Sequence, residues 1–142
     1  MKSEIIFEND FQQVVVYNEL GIYEERFKAI SAELFGDSYI REVTLFVDMV
    51  IAANEDGKSI QKLIISTIEG GPTMEPRVQD YMHEELYPRL AQSGVTAKAY
   101  CLGEEIISKL SVELTADSDP NKLFDYKFFA TIEEGIDWLK SK

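Results

Sequence analysis

The chain has one cysteine, Cys101, and one histidine, His83, among 142 residues. A single thiol excludes an intrachain disulfide. A single imidazole excludes the zinc motif in which two histidines lie four residues apart on one helix face, so no metal is expected. Cys101 sits in an apolar stretch and not at a helix start, which suits a packed, inert thiol better than a nucleophile. Basic residues are scarce: 14 Lys and Arg face 26 Asp and Glu, a formal net charge of -12. Nucleic-acid binding depends on Lys and Arg displacing counterions from phosphates, so neither nucleic acid nor an anionic membrane is an expected partner. Nowhere do about 18 apolar residues run together, as a membrane span requires. Gly70-Gly71-Pro72 is followed by no Gly-Lys-Ser or Gly-Lys-Thr, and no GxGxxG occurs, so a phosphate-cradling loop is missing as well.

What remains is ordinary globular material. Apolar residues make up 45% and charged residues 28%, without low-complexity runs or repeats. A chain of this length forms one domain, residues 1–142, that hides roughly 68–70% of its unfolded surface. The first ten residues turn acidic at once and lack the apolar core of a signal peptide, so the expected location is cytoplasmic. No cofactor is expected.

The pattern along the chain predicts a mixed α/β fold with five strands. Phe11 to Asn18 is β-branched and aromatic and predicts a strand, with residues 19–24 around Gly21 as a hairpin connection. Residues 25–35 fit a helical stripe (Tyr23, Phe27, Ile30, Leu34) as well as an alternation (Lys28, Ile30, Ala32, Leu34). The break and cap signal at Gly36-Asp37-Ser38 favours a strand there, with a helix running on from Tyr39. Further strands are expected at Leu63–Ile68, Ala97–Leu102 and Phe124–Ala130. Helices are expected from about Glu75, bent near Pro88 and closed by Gly94, and from Gly103. A loop follows over Asp117–Asn121 around Pro120, and a last helix opens on the capping box Thr131-Ile132-Glu133-Glu134. A hairpin followed by four βα units results.

Right-handed crossovers between strands taken in order would set every helix on one face of the sheet. The opposite face would then be less covered. Lys98, Tyr100 and Leu102 on one side of their strand, with Phe129, make that face mixed in character and a candidate surface for a partner or a second copy of the chain.

Phe7-Glu8-Asn9, Gly36-Asp37-Ser38 and Gln79-Asp80-Tyr81 stand in the same order as in the SpoIIAA-like family, which includes the STAS domains. So do Tyr87-Pro88-Arg89-Leu90 with Gly94 and Ala99, Lys109-Leu110-Ser111-Val112-Glu113, Phe128-Phe129 and Trp138-Leu139. Over nearly its whole length the chain resembles the small stand-alone bacterial members of that group, whose fold also underlies the CRAL-TRIO lipid carriers. The resemblance implies a hairpin plus a right-handed (βα)4 superhelix and a regulatory, protein-binding role without catalysis. Its kinship with lipid carriers makes a small apolar ligand the alternative. STAS antagonists of anti-sigma factors carry an Asp-Ser-Ser-Gly motif with a phosphorylated serine where a strand meets the next helix. Here that turn reads Ser66-Thr67-Ile68-Glu69-Gly70-Gly71-Pro72-Thr73-Met74, which lacks the motif. Thr73 is the candidate phosphate acceptor, with an ordinary helix-capping threonine as the competing reading.

In parallel α/β sheets ligands gather at the carboxyl ends of the strands. The candidate contact residues there are Asp37, Ser38, Glu69, Gly70, Gly71 and Thr73. The acidic pairs Glu24-Glu25, Glu84-Glu85 and Glu133-Glu134 read as solvated surface, and no catalytic residue is assigned.

Overall fold

The computed structural model describes residues 2–109 and 123–142. The expected loop at Asp117–Asn121 and the second half of the third expected helix, including Leu110 and Leu114, lie outside the described residues. Six strands form one sheet in sequential order: β1 (Glu4–Glu8), β2 (Gln12–Tyr17), β3 (Ile22–Phe27), β4 (Lys62–Ser66), β5 (Ala97–Cys101) and β6 (Asp125–Phe129). The first three are antiparallel neighbours, and β3 to β6 run parallel. The helices are α1 (Gly36–Glu55), α2 (Pro76–Tyr81), α3 (Tyr87–Ser93), α4 (Glu104–Lys109) and α5 (Ile132–Lys140). Among the described residues no helix is long and apolar enough to cross a membrane.

The α/β class and the four βα units agree with the sequence pattern, but the described residues form six strands, not five. The extra one is β1, an edge strand whose Ile5 and Ile6 are exposed and whose register slips between Ile5 and Phe7. A strand with no buried face leaves no clear alternation to read.

The second correction moves β3 forward. Gly21 takes a left-handed conformation at φ 65° after the 3-10 turn Asn18–Leu20, and the chain re-enters the sheet at once at Ile22. Strand β3 then ends at Phe27. Ala29–Glu33 forms a 3-10 turn where a strand was expected, so residues 25–35, which fitted both a helical stripe and an alternation, divide between the end of a strand and that turn.

The third concerns the faces. Helices α1 to α3 cover one side of the sheet, where Phe46, Val47, Val50, Leu86 and Leu90 pack with Val14, Val16, Tyr23 and Leu63. Helix α5 packs on the other side, with Ile136 and Leu139 against Val15, Ile22, Ile64, Ala97 and Ala99. Both faces are therefore covered, and the expected open mixed face does not exist. Lys98, expected on that face, is buried at 2% exposure under α3. Phe129 pairs with Cys101, not with Leu102, so it lies on the α5 side and its ring sits 5.7 Å from that of Trp138.

Two polar devices fix α1. Asn9 accepts from the backbone N–H of Phe11 and Gln12 and donates to Glu42 Oε1 at 2.7 Å. Gln12 Nε2 donates to the carbonyl and to Oε1 of the same Glu42, each at 2.9 Å. The turn between β1 and β2 thus grips a buried carboxylate in mid-helix. At the far end Asn54 accepts from Ile60 N–H and donates to the Ile60 carbonyl and to Ser93 Oγ, tying the end of α1 to α3.

The helix expected to bend near Pro88 divides earlier. Between α2 and α3 the residues Met82–Leu86 form one π turn, closed by Tyr87 N–H donating to the Met82 carbonyl. Pro88 has no N–H, and its ring would strike the Glu84 carbonyl in a regular α-helix. The wider turn removes that clash and leaves Pro88 in the first turn of α3, where its missing donor costs little.

Gly135 marks the closest approach of α5 to the sheet. A Cβ there would lie 2.9 Å from Cys101 Sγ and 3.3 Å from Ala99 Cβ. Gly→Ala inside an exposed helix gains up to about 1 kcal/mol, but overpacking a core costs about 1–3 kcal/mol. Gly135→Ala is therefore expected to lower Tm, and Cys101→Ala in the same chain to recover part of the loss. A Tm unchanged or raised by Gly135→Ala alone would contradict this close packing.

Candidate functional site

Strand β3 lies between β2 and β4 and carries Glu24 and Glu25 in succession. The sequence pattern placed this pair on a solvated turn, whereas both carboxylates are buried, at 0% and 2% exposure. Successive strand residues point to opposite faces, so the two glutamates lie on opposite sides of the sheet. The other two acidic pairs are exposed, as expected.

On the α5 side Glu24 is fully partnered. Tyr17 OH donates to Oε1 at 2.6 Å, and Arg26 donates from Nε to Oε2 at 2.7 Å and from Nη2 to Oε1 at 2.9 Å. Arg26 reaches it because residues two apart share a strand face. Burial, then the hydrogen bond to Glu24, pushes the Tyr17 phenol well above its usual range. The bond to Glu24 likewise raises the Arg26 guanidinium. Tyr17 and Arg26, the two partners of Glu24, line an open depression of about 600 Å3 together with Ser66, Ile68, Glu69, Ile132, Glu133 and Ile136. The depression lies at the carboxyl ends of β3 and β4, where the topology directs ligands.

On the α1–α3 side Glu25 is not satisfied. Its Oε2 is buried without a hydrogen-bond partner. Burial pushes its carboxyl well above the usual range, the Glu42 charge adds to that, and Lys98 opposes it. Glu25 and Lys98 line an apolar hollow of about 60 Å3 whose walls include Phe27, Tyr39, Val43, Phe46, Val47 and Met82. The Lys98 ammonium lies 3.3 Å from the centre of the Tyr87 ring and 4.4 Å from that of Phe124, a cation–π arrangement in a dry setting. Burial and the Glu25 charge raise the Tyr39 phenol as well. The π turn forms part of the wall through Met82, and such turns are frequent at functional sites.

The expected site residues separate into three groups. Glu69, Gly70, Gly71 and Leu102 do come together, in a second open depression of about 590 Å3 formed by Thr67–Pro72 and Leu102–Ile106. The loops that build it extend the sheet's bonding: Thr67 N–H donates to the Cys101 carbonyl and Leu102 N–H to the Phe129 carbonyl, each at 2.9 Å. Asp37 and Ser38 lie at the start of α1. Ser38 Oγ donates to the Phe35 carbonyl and accepts its N–H, and Asp37 meets Arg77 at 3.3 Å. Gly36 N–H donates to Glu75 Oε2 at 2.6 Å, which joins the starts of α1 and α2.

Tyr100 is half-buried at the mouth of the Glu25 hollow, with the Phe128 ring at 5.4 Å. Phe129 belongs to the α5 side. Thr73 is exposed but stands ahead of the N-cap of α2, which is Glu75 with Pro76 next, so neither helix capping nor an anion at the helix start describes it.

In the sequence Glu24-Glu25 read as solvated surface, and Tyr17 and Arg26 were not singled out, because residues 19–24 read as a hairpin connection with the next strand over 25–35. Tyr23 and Phe27 bracketing Glu24-Glu25-Arg26 were the available sign of a strand.

Cys101 is fully buried beneath α5, and desolvation pushes its thiol up to about 12. His83 is buried in the π turn, edge-on to Tyr87 at 5.2 Å. Among the described residues no three His, Cys, Asp or Glu side chains are grouped to hold a metal ion. No family model, curated protein or solved structure matches the chain.

Two outcomes follow from the paired carboxylates. Because the folded pKa of Glu25 lies above its value of 4.5 in the open chain, folding takes up a proton at higher pH. Its relative stabilisation is full below that value and is lost as pH rises toward the folded pKa. Glu25→Gln is therefore expected to raise Tm near pH 8, with a smaller gain near about pH 5. Equal gains at both values would rule out the shift. Arg26→Met strands the buried Glu24, and with Arg26 a third exposed the expected loss is about 2–3 kcal/mol in urea unfolding. Tyr17→Phe should cost only about 1 kcal/mol.

Proposed function

We propose that this protein is a non-catalytic interaction module of the SpoIIAA-like, STAS-type class, acting in the cytoplasm, that meets a protein partner with the loops at the carboxyl ends of β3, β4 and β5. One observation carries the reading. Of nine exposed large apolar side chains among the described residues, four stand on the loops leaving this one edge, Ile30, Phe35, Ile68 and Met74, and a fifth, Ile106, stands in the first turn of α4 beside them. Scattered single apolar residues need no explanation, but apolar residues gathered on neighbouring loops are characteristic of interaction surfaces.

Exposed Glu33, Asp37, Glu69, Glu104 and Glu105 surround them. An apolar centre with an acidic rim suits a partner that offers an apolar pocket with a basic rim, and the net charge of -12 would speed that encounter. A second copy of the chain is less suited here, since it brings the same acidic rim. Carriage of a lipid, the alternative that the resemblance suggests, would need the hollow beside Glu25 to open far beyond about 60 Å3.

The test is quantitative affinity purification with Ile68→Arg/Ile106→Arg, compared with Ile5→Lys on the distant β1 edge. A specific partner should be lost from the double variant, kept by Ile5→Lys, and released by salt, while circular dichroism and Tm stay at wild-type values. Identical partner sets from both variants would refute the assignment of this edge.

A further inference from the structure

Ser66 is the last residue of β4 and is only 3% exposed, yet its hydroxyl makes no hydrogen bond among the described residues. In the parallel register it stands beside Arg26 of β3 and Cys101 of β5. Cys101 belongs to the core under α5, as does Ile64, two residues before Ser66, and residues two apart share a strand face. The Ser66 hydroxyl is therefore aimed into the depression of about 600 Å3 that the residue helps to line. Buried polar groups are almost always hydrogen-bonded, so a hydroxyl set into the wall of a recess takes its partner from outside the protein.

Arg26 adds donors at the same place. Its Nε and Nη2 donate to Glu24, and Nη2 also donates to Tyr17 OH at 3.3 Å. A guanidinium holds its N–H groups in a rigid planar fork, and those on Nη1 make no hydrogen bond among the described residues. Nη1 is the nitrogen turned away from the edge that meets Glu24, and the side chain, 32% exposed, borders the depression. A guanidinium beside a hydroxyl suits a carboxylate, whose two oxygens can accept from both. Glu24 cancels the net charge of Arg26, so this wall offers directed donors and not a field that gathers any anion.

The rest of the lining sets two further conditions. Glu69 and Glu133 are exposed and have no ion-pair partner among the described residues, so they repel a simple anion and attract an ammonium. Ile68, Ile132 and Ile136 supply hydrocarbon. The volume falls within the roughly 300–1,000 Å3 of small-molecule sites. We propose that this depression binds a free α-amino acid with a branched aliphatic side chain. The carboxylate accepts from Arg26 Nη1 and Ser66 Oγ, the ammonium faces Glu69 and Glu133, and the side chain lies among the three isoleucines. A zwitterion answers both signs, whereas a carboxylate alone meets the repulsion of the two glutamates and an amine alone leaves the donors of Arg26 and Ser66 unused. Ile68 and Glu69 also belong to the partner-binding edge, but Arg26, Ser66 and Ile136 do not, so either assignment can fail alone.

The experiment is an NMR titration of protein labelled at the isoleucine δ1 methyls with L-leucine. It is matched at equal ionic strength against 4-methylpentanoate, which lacks the ammonium, and 3-methylbutylammonium, which lacks the carboxylate. With leucine the Ile68, Ile132 and Ile136 methyls should shift saturably in the millimolar range, while Ile5, on the β1 edge, stays in place. Each analogue should bind at least about tenfold more weakly, reflecting loss of a charge-assisted interaction. Arg26→Lys keeps a cation for Glu24 but removes the planar fork, and Ser66→Ala removes the hydroxyl; each should weaken leucine at least about fivefold. Glu69→Gln/Glu133→Gln should weaken leucine yet tighten 4-methylpentanoate. A poorly folded variant cannot produce that reversal, so the site remains testable should Arg26→Lys fold badly. The proposal is overturned by the absence of a saturable shift at Ile132 and Ile136, by either analogue binding as tightly as leucine, or by wild-type leucine affinity in all three variants.

Discussion

Two neighbouring carboxylates inside a central strand set the terms for the rest of this structure. The pleat sends Glu24 and Glu25 to opposite faces, and helices cover both faces, so neither group can reach bulk water. A buried carboxylate requires an opposite charge, several donors or a proton. Glu24 has the first two, in Arg26 from its own strand and Tyr17 from the neighbouring one. Glu25 has no donor at Oε2, and burial raises its carboxyl well above the usual range although the Lys98 charge opposes the rise. The contrast between adjacent residues is what distinguishes the two sides: the α5 face has a polar triad beside an open depression, and the α1–α3 face has an unsatisfied acid in a nearly closed one.

Coverage of both faces follows from chain order. Helices between parallel strands taken in sequence return on one side, as crossovers of one hand require, and α1 to α3 do so. Helix α5 follows β6 and packs on the other face, where small residues in β5 and Gly135 in the helix allow a close approach. The same order gathers the loops after β3, β4 and β5 at one edge, where the exposed apolar side chains collect. Met74 belongs both to that edge and to the mouth of the Glu25 hollow.

Burial of the Glu25 carboxyl works against the stability of the fold. An apolar residue of similar volume would remove the desolvation cost, as buried ionic groups often illustrate when replaced. Its neighbours show that the fold can satisfy buried polar groups where needed. Asn9 and Gln12 enclose Glu42, and Asn54 closes the end of α1. The π turn solves a backbone problem of the same kind by widening the helix ahead of Pro88.

By itself the sequence determined the α/β class, the cores of β2, β4, β5 and β6, the breaks at Gly21 and Gly94, the Thr131 cap, where Oγ1 accepts from Glu134 N–H, and the buried state of Cys101. These depend on local periodicity, propensity and capping, which act within a few residues and can be read there. Tertiary structure alone decided that β1 joins the sheet, that β3 runs from Ile22 to Phe27, that α5 takes the opposite face, and that Phe129 and Tyr100 part company. It also decided that Glu24 and Glu25 are interior. Each of these depends on partners more distant in the chain, such as Val15 opposite Glu24, Val14 opposite Glu25, and helices closing over both. Two glutamates in a row look like surface in one dimension, and only long-range pairing of the strand that carries them turns that pattern inward.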